Sequence, residues 1–246
     1  MALGRLPVIR AVRVAYGDLA RVLTTMPTLI LIAFAIDVAA KLIGHVRPAH
    51  GVALYAFSAV IGLGKSWLLT PFFIAVHRFI LVDEIADRYR LDPQDRRFAR
   101  FFTWSLVLWL LTRLPAAAIA MLEQPVSVTS LFAAMGALMV LMIIAAVIGV
   151  RLIVLFPAIA VDAPGATPAN AFADMQGFAF DVFLICGLAM LPVVAIDWLL
   201  VGMQAQSFAG SLVDLVADLV ARVLLIVVAS RAFQALGDRV LRPAVT

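Results

Sequence analysis

Six apolar runs, at residues 26–44, 52–82, 101–122, 131–161, 180–201 and 207–233, leave this chain very few ways to fold. A helix needs about 20 apolar residues to cross some 30 Å of hydrocarbon, and each run approaches or exceeds that length. The chain is 65% hydrophobic and 14% charged, against roughly 45–50% and about 25% for ordinary soluble domains. A soluble fold has no interior large enough to hide so much apolar surface. The expected class is therefore all-α, a polytopic membrane protein of six transmembrane helices preceded by an N-terminal amphipathic helix. Residues 1–25 would form the interfacial helix, and residues 26–246 a single transmembrane domain.

The N-terminal stretch 5–24 carries its own pattern. At helical spacing Arg10, Arg13 and Arg21 fall on one side, and Val8, Val12, Ala15, Tyr16, Leu19, Val22 and Leu23 fall on the other. The basic face favours a helix lying in the membrane plane with its apolar side in the lipid boundary. The competing reading is an amphipathic helix packed on the rest of the protein. The run at 26–44 begins too far in, and is too long, for a cleaved signal peptide.

Bases set the orientation. The N-terminal segment, the loop holding Arg88, Arg90, Arg96, Arg97 and Arg100, and the tail with Arg231, Arg239 and Arg242 are arginine-rich, whereas only Lys41 and Arg47 fall on the opposite side. This alternation predicts both termini in the cytoplasm. Arg10, Arg13, Arg21, Arg88, Arg96, Arg97 and Arg100 become the expected contacts to anionic lipid headgroups. Other membrane-protein subunits are possible partners; nucleic acid is not expected.

Sites for chemistry are sparse. The lone Cys186 excludes an internal disulfide and sits in an apolar run, where it reads as packing. His45 and His50 share a short loop without a carboxylate or thiol at ligand spacing, so no metal is expected. No phosphate-binding glycine loop, nucleophile elbow or HExxH motif occurs, and neither catalytic residues nor a cofactor are expected. Pro71 and Pro192 would suit two inverted halves, but proline is frequent in membrane helices anyway. Small residues four apart, Ala133 with Ala137 and Ala145 with Gly149, permit close helix packing.

More information lies in charges inside the runs, since one ion at the bilayer centre costs at least about 2.5–3.5 kcal/mol and so faces a partner or water. The candidates are Asp37, Lys65, Arg113, Arg151, Asp197, Asp214, Asp218 and Arg222. Asp214, Asp218 and Arg222 step by four along one helix face, acid ahead of base. Lys65 and Arg113 have no such local acid, so their counter-charges must come from other helices. Interhelical clamps are the favoured reading. The alternative is a polar cavity that conducts a proton or binds a charged solute.

Arg151, Pro157-Ala158, Ala160 and Asp162, followed by TPANAFADMQG, resemble the membrane domain attached to some glycerophosphoryl diester phosphodiesterases and related stand-alone bacterial inner-membrane proteins of six spans. The motif is loose and covers a minority of the chain. The resemblance implies a bacterial inner-membrane protein; the hydrolase half of those enzymes has no counterpart here. Physically, Thr167 is suited to cap a short helix that starts at Pro168 and stops at Gly177. Arg151 is expected at the cytoplasmic interface, held by headgroups or a carboxylate; the alternative puts it at midplane against Asp218. The functional expectation is a non-enzymatic accessory, scaffold or lipid-associating protein, with a small-solute or lipid transporter as the alternative.

Overall fold

A computed structural model describes residues 7–44, 52–86, 88–120, 128–202 and 208–241, with backbone alone at 52, 114–120, 128–131, 134, 197, 200–202 and 208–209. All regular structure among these residues is helical. The order is α1 (Val8–Thr25), α2 (Pro27–Gly44), α3 (Val52–Val82), α4 (Arg96–Ala120), α5 (Val128–Leu152), α6 (Leu155–Ala160), α7 (Pro168–Asp174), α8 (Ala179–Gly202), α9 (Phe208–Leu236) and α10 (Asp238–Leu241). Four of them, α2, α3, α5 and α8, contain stretches long and apolar enough to cross a membrane. The expected third and sixth spans coincide with α4 and α9, which carry four charged residues each.

Packing is uneven along the bundle. In α3 the buried residues Leu69, Thr70, Phe72, Val76, His77, Phe79 and Ile80 all lie in the second half, surrounded by α1, α4, α6 and α9. The first half of α3 is partly exposed. A helix of 31 residues extends about 46 Å, more than the hydrocarbon needs, so one end is free to be clothed by protein. Pro71 lies within the helix without ending it.

α1 packs chiefly on α8 and α9. Tyr16 donates to the Ala189 carbonyl of α8 (2.7 Å). Asp18, 4% exposed, receives Arg231 of α9 through Nε at 2.6 Å and Nη2 at 2.8 Å. Arg21 pairs with Asp83 (3.0 Å) and lies over the Phe79 ring. The apolar face listed from the sequence is thus covered by protein: Ala15, Leu19 and Val22 are buried in the core with α3, α8 and α9. This corrects the expectation that lipid covers that face. The alanines, valines and leucines there fit closely against α8 and α9, and Asp18 on the same side finds its base on α9.

The run 131–161, expected as one span, is broken at Ile153-Val154 into α5 and α6. Pro157 supplies the cause: it has no N–H to bond back to Ile153, and its ring crowds that carbonyl. The six residues of α6 are apolar on all sides and all but the half-buried Phe156 are enclosed, as suits such a helix. Asp162 then turns the chain in a left-handed conformation, φ 53°.

α7 follows the sequence reading closely. Thr167 Oγ1 accepts from the Asn170 N–H (3.3 Å), Pro168 opens the helix, and Gly177 takes the positive φ of 87° beyond its end. Ala171 and Met175 face protein. Replacing Thr167 with alanine is expected to cost about 1 kcal/mol, read as a lower thermal midpoint in detergent; an unchanged midpoint would show the cap to be idle. Asp174 in turn accepts from the N–H groups of Arg239 and Val240 (3.0 Å each), capping α10.

The loop 83–95 folds back over α3, where the Tyr89 hydroxyl donates to the Leu68 carbonyl and burial pushes its phenol above the ordinary value. Arg78 holds Glu84 in a two-point ion pair and donates to the Ala160 carbonyl (3.1 Å). That hydrogen-bonded guanidinium lowers the Glu84 pKa. The contribution is therefore present above the unfolded carboxyl value and is lost as pH falls through the folded one.

Candidate functional site

Three helices bring charge together at mid-length. At 1.5 Å per residue, Arg222 stands about 21 Å from either end of α9. On α2, Asp37 and Lys41 are one turn apart; on α9, Asp214, Asp218 and Arg222 repeat the same spacing; Lys65 projects from α3. Because α9 packs on both α2 and α3, its stripe meets both.

The Asp37 side chain is fully enclosed, at 0% exposure. Its Oδ1 receives Lys65 Nζ at 2.8 Å and Arg222 Nη1 at 2.9 Å, and its Oδ2 receives the same Nη1 at 2.7 Å. Asp218 closes the set: it pairs with Nη2 of Arg222 one turn ahead and lies 3.6 Å from Lys65. Two acids therefore answer two bases across three helices, with each base shared between both acids. One turn along, Lys41 pairs with Asp214 (2.6 Å) and donates to the Ser211 carbonyl (3.3 Å). Beside this track, α2 and α3 border an open pocket of about 260 Å³ lined in part by Asp37, Lys41, Lys65 and Ser58.

Such an arrangement does two things. It satisfies ions that would be costly unpaired in hydrocarbon. It also fixes the rotation and height of α2, α3 and α9, since a shift of one turn would part Asp37 from Lys65 and Arg222. Among the described residues no cluster of His, Cys, Asp or Glu is suited to hold a metal ion.

Not every candidate from the sequence joins this set. Arg113 is exposed on α4 and has no ion-pair partner among the described residues. The Asp197 side chain lies outside the described residues, as do His45, Arg47, His50 and Arg242. Arg151 occupies the last turn of α5, and its guanidinium lies over the Phe172 ring of α7 (5.8 Å) rather than on a carboxylate. Its Nε is buried without a partner. Asp218, the acid named in the midplane alternative, pairs with Arg222 and Lys65.

The bases expected at headgroups divide into two groups. Arg10, Arg13, Arg88 and Arg96 are exposed. Arg97 instead reaches Asp162 (3.1 Å) and Asp95 (3.4 Å), Arg100 donates to the Ala166 carbonyl, and Arg21 serves Asp18 and Asp83. These three tie the loop, the connector and α1 to the bundle.

Two polar contacts had no sequence signal. One is the Asp18–Arg231 pair, whose members lie 213 positions apart. The other joins buried His77 to Ser230 (Nδ1 to Oγ, 2.8 Å). The same serine hydroxyl lies 2.9 Å from the Ile226 carbonyl one turn back. Comparison with protein-family models, curated proteins and solved structures yields no match.

Proposed function

We propose that the chain is a six-span protein of the bacterial inner membrane, with both termini cytoplasmic, acting without enzymatic activity as an accessory, scaffold or lipid-associating component of a membrane assembly. The observation that carries this reading is the charge set at mid-helix, where Asp37, Lys65, Asp218 and Arg222 satisfy one another. A solute pathway requires ions that exchange partners; a scaffold requires ions that hold helices.

Two further features support it. α5 and α8 present exposed apolar side chains, among them Met135, Met139, Ile143, Phe183, Leu188 and Leu191, which suit lipid or a second membrane protein. α1 leaves Arg10 and Arg13 exposed on its outer face, which suits contact with anionic headgroups. The pocket beside Lys41 and Lys65 favours transport as the second reading, though both lysines already face carboxylates.

Purification in mild detergent, with identification of co-purifying proteins and lipids, tests the role. A partner or a retained lipid class is expected. Recovery of a bare monomer that moves solute across liposomes would instead establish the transporter. Reporter fusions in the 45–51 and 83–95 loops test the topology, and opposite sides are expected.

A further inference from the structure

We propose that the groove between α1 and the α8–α9 pair holds one acyl chain of an anionic phospholipid, with the headgroup phosphate at Arg10. The proposal rests on the lipid-associating, membrane-embedded reading above and assigns it a place.

The groove follows from side-chain size. Farther along, Leu19 and Val22 of α1 fill the interface completely. Nearer its start, α1 sets Ala11 and Ala15 among the lining residues, and α9 answers with Ala232 and Ala235. Methyl groups on both sides leave a space of about 210 Å³ floored by Val182 and Val228. Close-packed interiors do not keep such gaps without an occupant or a cost. The walls are almost entirely apolar, so water gains nothing there.

Charge at the rim selects the occupant. Arg231 is engaged by Asp18 and by Gln234 (2.7 Å). Arg10 also lines the groove, yet it is exposed, with no hydrogen-bond or ion-pair partner among the described residues. Arg13 stands exposed one turn on, and no acid lies in the first turn of α1, so the positive end of the helix adds to the same field. Ile9 at 77% exposure and Val14 flank these bases, giving the mixed basic and apolar surface of a lipid interface. A soluble anion would have no use for the apolar floor. A zwitterionic headgroup would bring its own cation to Arg10.

The test uses the full chain in bilayers of equal phosphatidylglycerol and phosphatidylcholine, released into native mass spectrometry. One phosphatidylglycerol retained in preference to phosphatidylcholine is expected. Arg10→Gln should lower that retention roughly tenfold, the scale of one charge-assisted hydrogen bond, and Arg10→Lys should keep most of it. Ala235→Phe, which fills the groove and leaves both arginines in place, should lower it similarly. Equal retention of the two lipids, or wild-type retention in both Arg10→Gln and Ala235→Phe, overturns the site. Flotation of the vesicles after an alkaline wash is read in parallel. Protein that stays embedded without lipid preference overturns the site alone, whereas protein washed off overturns the membrane reading beneath it.

Discussion

Asp37→Ala is expected to destabilise the bundle by about 3–5 kcal/mol, the cost of stranding charge in a buried pair. The variant removes a carboxylate that is 0% exposed and leaves Lys65 and Arg222, at 26% and 19% exposure, competing for Asp218 alone. Asp37→Asn keeps an acceptor but not the charge, so its cost should be smaller. The informative comparison is Asp37→Leu and Asp218→Leu with Lys65→Met and Arg222→Met, which removes the set as a unit. Buried ion pairs replaced together by apolar residues of similar volume are often neutral, so much of the loss should return. Thermal unfolding in mild detergent reads all three. If Asp37→Asn keeps the wild-type midpoint but stops a measurable solute flux, the clamp is the wrong description and the pocket beside Lys65 is a pathway.

The parts of this site that a reader of the sequence sees are those fixed by local spacing. Asp218 and Arg222 are four apart on a helix, so their pairing is legible. That Lys65 must find its acid on another helix is also legible, but the choice of Asp37 depends on how α2, α3 and α9 are rotated, which no local pattern states. The helix ends divide in the same way. Val52–Val82 is bounded by polar loops and reads correctly to the residue. In 131–161 hydropathy stays high across Pro157, so composition conceals a break that the missing N–H enforces. Likewise α1 shows its two faces plainly, yet amphipathicity alone does not say whether lipid or α8 and α9 cover the apolar one.

Asp18 answers that last question and carries the second large effect. Its carboxylate lies on the packed face of α1, 4% exposed, and holds the Arg231 guanidinium at two points. Asp18→Ala is expected to cost about 1.5–3 kcal/mol, the range for hydrogen bonds to charged groups. The figure is below that for Asp37 because Arg231 is 34% exposed and keeps Gln234, so the stranded cation can hydrate. The loss should also be local. α1 is held to α9 by this pair and to α8 by Tyr16, while the α3–α9 contact through His77 and Ser230 does not involve α1. Hydrogen exchange should therefore quicken in the α1 amides and leave the second half of α3 protected. A double-mutant cycle with Arg231→Ala should return most of the Asp18 effect as coupling. Uniform loss of protection across the bundle would instead make α1 part of the same cooperative unit as α3 and α9, and a coupling near zero would make the contact incidental to holding the helix.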